Sequence, residues 1–130
     1  MLTMLKGKPL KILCVDEDDI ILQLERRMLE RICPDSKVFL AFNSDDALAI
    51  LNQQPIDMLF CEATSQRFDI SPLLLHESPI RIKIAFSDVN IPESLRSQFD
   101  ALVAKPFSLK DLDSLFDRPE IRQKIDELNF

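Results

Sequence analysis

Three short apolar runs in this sequence end in ionisable residues. Ile12-Leu13-Cys14-Val15 leads into Asp16-Glu17-Asp18-Asp19, Met58-Leu59-Phe60-Cys61 into Glu62, and Leu102-Val103-Ala104 into Lys105-Pro106-Phe107. Brought to one edge, these would set several carboxylates against one ammonium. Other chemistries are closed off. The one glycine, Gly7, precedes the first strong apolar run, which excludes the glycine-rich loops that cradle nucleotide phosphates. The one histidine, His76, would have to carry any Ser-His-Asp or Cys-His site alone, and it has no metal-spaced partner. Three cysteines, an odd number with no Cys-x-x-Cys pair, make neither a disulfide framework nor a zinc site. Cys14 and Cys61 read as core thiols, with a redox pair as the alternative, and Cys33 beside Pro34 as a loop residue.

The elements that must position these residues follow from the pattern between them. The chain has 130 residues, 46% hydrophobic and 29% charged, the balance of one globular domain. Its apolar runs are far too short to span a membrane, and Met1 to Lys8 lacks the apolar core of a signal peptide. Sixteen Lys plus Arg against 22 Asp plus Glu give a net charge of −6 with no basic run, which argues against direct nucleic-acid binding. A cytoplasmic location is expected. Val38 to Phe42 and Ile80 to Phe86 complete a set of five short runs suited to strands buried on both faces.

Helix patterns fill the gaps. Ile21, Leu24, Met28 and Ile32 keep a spacing of three or four, with Asp18 and Asp19 placed to cap the start and Arg26, Arg27 and Arg31 toward the end. A second helix opens at Asn43-Ser44 and stops before Pro55. A short third follows Pro72, and a fourth runs from about Pro92 to Phe99. A fifth opens on a capping box, Ser108 to Asp111. Strands alternating with helices predict an α/β fold with a parallel sheet, and in such sheets function lies outside the carboxyl ends of the strands. Arg81 and Lys83 are unusual in an interior strand; their stems are expected to pack while their heads reach an edge.

In this arrangement the sequence resembles the response-regulator receiver family, from about Lys11 to Phe116. The resemblance rests on the acidic cluster after strand one, Pro55-Ile56-Asp57 leading into strand three, the acid that ends that strand, and Lys105-Pro106-Phe107 followed by Ser108-Leu109. It implies a flavodoxin-like, doubly wound five-stranded parallel sheet in the order 2-1-3-4-5. It also implies roles for single residues. Asp16 and Glu17 match the acidic pair that holds Mg²⁺, and Thr64 the position whose carbonyl ligates the metal. Glu62 matches the aspartate phosphorylated by a histidine kinase, and Lys105 the lysine on the phosphoryl oxygens. Asp57 precedes its run and falls at the opposite edge.

Four departures from the family pattern bear on function. The acceptor position holds Glu62, not Asp. The family's Ser or Thr at the end of strand four is matched, counting from Pro79, by Ile84, with Ala85 next; Ser87 would serve only in a longer strand. The aromatic switch position, three residues before the lysine, is Leu102. Only 17 positions separate Glu62 from Pro79, so the usual Pro-Gly turn is missing and the third helix is short. One added methylene moves the acceptor oxygen by ~1.5 Å, and a displacement near 1 Å can cost on the order of 10²-fold in rate. Glu also brings a standing charge that reaches Lys105 without phosphorylation.

The expectation is a pseudo-receiver: no enzyme, but a phosphorylation-independent interaction module. Its partner would be a signalling protein, whether a histidine kinase, an output domain or another regulator. It would dock on helix four, strand five and helix five through Leu95, Arg96, Phe107, Leu109, Lys110 and Asp113. No cofactor is required, and Mg²⁺ at Asp16, Glu17 and Thr64 is expected to bind at about millimolar affinity or worse. The alternatives are a working receiver phosphorylated on Glu62 and a small haloacid-dehalogenase-like phosphohydrolase. The latter would use Asp16-Glu17-Asp18 and needs a later acidic pair, for which Ser87-Asp88 offers one acid. Residues 1–10 read as an arm, 11–117 as the receiver-like domain and 118–130 as a helical extension. In that extension Ile121, Ile125 and Leu128 form one apolar stripe, for its own domain, for a homodimer seam or for the start of a connector.

Overall fold

A computed structural model describes residues 5, 7–63, 71–74, 80–87 and 91–128. Strands β1 (Lys11–Val15), β2 (Lys37–Ala41), β3 (Met58–Glu62), β4 (Ile82–Ser87) and β5 (Ala101–Ala104) form one parallel sheet in the order β2-β1-β3-β4-β5. Helices α1 (Asp19–Ile32), α2 (Ser44–Gln53), α3 (Ser71–Leu74), α4 (Glu93–Arg96), α5 (Leu109–Phe116) and α6 (Pro119–Glu127) alternate with the strands and follow them. The expected flavodoxin-like architecture and the C-terminal helix are both present.

Side-chain alternation on the buried strands makes two cores. Ile12, Cys14, Met58, Phe60, Ile84 and Phe86 face one side, with Leu22, Leu29, Leu112, Leu115 and Phe116 from α1 and α5. Leu13, Val15, Leu59 and Cys61 face the other, with Ala47 and Leu51 of α2 and Leu73 of α3. Each Val, Leu, Ile, Phe or Met among them contributes roughly 1.5–3 kcal/mol when fully buried. Cys14 and Cys61 thus lie on opposite faces of the sheet as free buried thiols, which removes the redox pair. Cys33 lies in the loop just after α1, as expected, but it is fully buried and closes the helix end, its N–H donating to Leu29 O at 2.7 Å.

Caps set the helix starts. The Asp18 carboxylate accepts from the Ile20 N–H, and the Asn43 side chain from the Asp46 N–H at 2.8 Å. Ser108 and Asp111 make both bonds of the expected capping box. The buried stripe of α1, however, is Leu22, Glu25, Leu29 and Ile32, one position round from the predicted face; Leu24 is 40% exposed. Glu25 interrupts the apolar pattern, and Ile20-Ile21-Leu22 offers more than one way to begin a stripe. Helix α4 is also shorter than predicted. It has four residues, followed by tight turns in which Gln98 N–H donates to Leu95 O and Phe99 N–H to Arg96 O.

The chain ends are tied to this body. Leu5 and Leu10 are buried in the α1-side core, and Leu5 N–H donates to Ile32 O at 2.9 Å. Ile121 and Ile125 of α6 are fully buried in the same core. Lys124 pairs with Asp100 just before β5 and also donates to Arg81 O at 3.3 Å; Arg81 reaches Glu127 at 3.7 Å. Arg81 therefore lies before β4, with its charged head on α6.

Candidate functional site

The parallel register carries three predicted residues to one edge. Asp16 continues β1, its N–H donating to Ala41 O at 3.1 Å. Glu62 is the last residue of β3, and Lys105 continues β5 with its N–H on Ser87 O at 2.9 Å. The Lys105 Nζ stands 2.5 Å from Glu62 Oε2 and 3.0 Å from Asp16 Oδ2. Asp16 is 2% and Glu62 7% exposed, so this is a buried triad of two carboxylates on one ammonium. The other oxygen of Asp16 accepts from the Asp18 N–H at 2.9 Å, which orients it. Burial pulls the Lys105 pKa down, but hydrogen bonds and charge from Glu62 and Asp16 outweigh it and leave the net shift upward.

Other predicted positions fall differently. Glu17 is exposed, and Thr64 lies outside the described residues, as do His76 and the Asp88 of the phosphohydrolase reading. Asp57 sits at the amino edge, accepting from the Lys11 N–H at 2.9 Å, far along the sheet from Lys105. Ile84 and Ala85 are not at the end of β4. They are fully buried inside it, opposite Phe60 and Cys61. The strand starts at Ile82 and runs on to Ser87, which is 8% exposed and lies opposite Ala104, beside the triad. A hydroxyl therefore stands at the strand-four end after all. Counting from Pro79 misplaced it because the pairing begins three residues beyond that proline. Leu102 is half-buried in β5, opposite Ala85.

Of the expected docking residues, Asp113 is buried, 8% exposed, and so drops out of the surface. Phe107 stacks on Phe86 with centroids 4.5 Å apart, and Leu95 and Leu109 pack against the cores. Arg96 is exposed and lines a groove of about 500 Å³ with Glu93, Leu102, Arg118 and Glu120.

Sequence reasoning missed Glu25. It is 1% exposed in the middle of α1, and neither carboxyl oxygen has a hydrogen-bond partner among the described residues. The Cys14 thiol beside it is only a weak donor, and its pull on the Glu25 pKa is downward. Burial raises the Glu25 pKa well above the ordinary glutamate value; the charges of Asp16 and Glu62 push the same way and Lys105 opposes them. Its signal in the sequence was a lone acid in the stripe of Leu22, Leu29 and Ile32. The thiols are inert for the same reason: burial raises Cys14 and Cys61 and lifts Cys33 to about 12.

The resemblance implies Mg²⁺ at this edge. As arranged, the residues do not fit it. Asp16 and Glu62 already face the Lys105 ammonium, which would repel a second cation, and among the described residues no three acid, His or Cys side chains are grouped to hold a metal.

No protein-family model and no curated protein matches the sequence. Solved structures do match. A receiver domain from Clostridium thermocellum is 18% identical, with a TM-score of 0.70 over 92% of this chain and 99% of its own. A Francisella response-regulator receiver domain is 26% identical, with a TM-score of 0.67 over 87% of this chain and 98% of its own. The receiver domain of a DNA-binding response regulator from Colwellia psychrerythraea is 17% identical, with a TM-score of 0.73 over 91% and 99%. The chain has the fold of response-regulator receiver domains. No helix among the described residues is long and apolar enough to cross a membrane.

Proposed function

We propose that this receiver-fold chain is a signalling interaction module whose pocket is held in one state by its own glutamate, without phosphorylation. The observation that carries this reading is the 2.5 Å contact of Glu62 with Lys105, reinforced by Asp16 at 3.0 Å. A receiver is a two-state domain in which a new charge at the acceptor shifts the population. Here a carboxylate on a longer arm already meets the lysine that would otherwise wait for phosphoryl oxygens. Phosphoryl transfer depends on positioning and charge stabilisation, and the closed ion pair and lengthened side chain oppose both. Mg²⁺ binding at about millimolar affinity or weaker follows from the ammonium between the two acids. The partner is a signalling protein, and its docking face is the one formed by α4, β5 and α5, where Arg96, Leu102 and Arg118 border the open groove.

Ser87 favours a second reading, a receiver that does accept phosphate on Glu62, because the end of β4 places a hydroxyl-bearing residue at the acceptor edge. The experiment that separates the two is intact-mass measurement after incubation with a small phosphodonor and Mg²⁺. The proposal expects no stable added phosphoryl mass. An adduct that forms on the wild type and disappears in Glu62→Gln establishes the second reading.

A further inference from the structure

The sheet has two outer strands, and their free edges are treated differently. Along a parallel ladder each residue turns its N–H and C=O to one side, and the side alternates. In β2, Lys37 N–H donates inward to Leu10 O and Ala41 O accepts from Asp16 N–H, so Val38 and Leu40 turn outward. Arg26 of α1 covers that edge, its guanidinium donating to Val38 O at 3.4 Å, and Lys37 begins the strand. Charge laid over an edge blocks unwanted pairing. In β5, Lys105 N–H donates inward to Ser87 O, which leaves Leu102 and Ala104 to turn outward. Among the described residues no side chain bonds to those outward groups, and Ala101-Leu102-Val103-Ala104 holds no charge.

Two open grooves meet along this second edge. One of about 500 Å³ reaches Ala101 and Leu102 from α4. The other, about 360 Å³, runs over Leu102, Val103 and Ala104 to Asp111 and Ser114 of α5. Leu102 and Arg118 border both, so the grooves join into one trough with β5 as its floor. The geometry points to β5 as a strand-addition site: the trough takes an extended segment of a partner protein, which joins the sheet through the outward N–H and C=O of Leu102 and Ala104. This rests on the proposed docking face and names the shape of what docks there. A second copy fits less well. Its own β5 lies at the floor of an identical trough, and two strands set back in this way do not approach to the ~4.8 Å of a ladder. Charge narrows the segment further. Glu93 and Glu120 line only the groove at the amino end of β5, and Asp111 accepts from the Ser108 N–H at 2.8 Å. Arg118, exposed and in no ion pair among the described residues, is the free charge beside the carboxyl end. The segment therefore carries an acid there.

The probe is a phage-displayed library of random dodecapeptides panned on the whole chain, from which an enriched sequence is made as a soluble peptide. That peptide carries an acid and shifts the backbone amide resonances of β5. Methylating alternate peptide nitrogens abolishes its binding, and methylating the nitrogens between them does not. Ala104→Pro removes an outward N–H but no bond to β4 and lowers affinity about tenfold, while Ala104→Val stays within about twofold. Arg118→Glu, at an exposed site whose side chain makes no cap bond to α6, also lowers it about tenfold. A peptide that binds on α4 and α5 but ignores both N-methylation and Ala104→Pro overturns strand addition and leaves the docking face standing. Enrichment of no peptide that binds this face overturns both. Amides of β5 that shift with the concentration of the chain alone put a second copy in the trough and overturn the inference. The phosphodonor experiment reads the pocket separately, so a phosphoryl adduct on Glu62 does not alter any of these results. Should Ala104→Pro fail to fold, the methylated peptides decide.

Discussion

Each edge of the sheet carries a lysine bound to aspartate, and the two lysines have opposite surroundings. At the amino edge Lys124 pairs with Asp100, Arg81 with Glu127 and Lys8 with Asp126; the side chains are half open to water and each charge has its own opposite. At the carboxyl edge one lysine side chain, 19% exposed, meets two carboxylate side chains that are 3% and 9% exposed, and the Glu25 carboxyl is buried in α1. The amino-edge pairs serve to fasten α6 and the N-terminal arm to the sheet. The carboxyl edge gathers an excess of buried acid that folding alone does not require. Charge imbalance under burial, rather than the presence of ion pairs, distinguishes the site from the clasp.

The sharpest test of that contrast is to remove each lysine. Lys105→Met strands two buried carboxylates and should destabilise the fold by about 3 kcal/mol or more, read by urea denaturation. Next in size is the pH response of the carboxyl edge. The folded-state pKa of Glu25 lies above its unfolded value, so the folded chain holds the extra proton. Stability is then fully present below about pH 4.5 and falls as pH rises through the window above it, by up to about 1.4 kcal/mol per pH unit. Glu25→Gln should flatten that slope above about pH 4.5 (about one proton's worth at most); an unchanged slope would assign the pH response elsewhere. The smallest effect belongs to the clasp. Lys124→Ala should cost ~1 kcal/mol or less, diminishing in high salt, because exposed pairs are weak and screened. A loss as large as that of Lys105→Met would erase the distinction.

The fold was legible because its signals are local and redundant: short apolar runs for the strands, Asp18, Asn43 and Ser108 as caps, and Pro55 as a stop. The triad was legible because each member directly follows such a run. What escaped depends on register and rotation, which local pattern does not specify. Ser87 reaches the site only because β4 pairs from Ile82, and nothing between Pro79 and Ser87 marks where pairing starts. Glu25 faces inward only because α1 buries Leu22 and Leu29 instead of Ile21 and Leu24, and an acid on that stripe reads as solvent-facing. Asp113 reads as a surface residue on the same grounds and is buried beside the core. Polar residues in the interior are where hydrophobic patterning misleads.

The central claim is that Glu62 holds Lys105 in the resting protein, and the most direct measurement is the titration of the Lys105 side-chain methylene beside Nζ by NMR. The account predicts a pKa above the ordinary lysine value of 10.5 in the wild type, and a clear drop when Glu62 is replaced by Gln. By linkage, the stability gained from the ion pair is complete below about pH 10.5 and is lost as pH rises through the folded-state value. A Lys105 that titrates at or below 10.5, unmoved by Glu62→Gln, would contradict the account and leave the pocket open for a phosphoryl group.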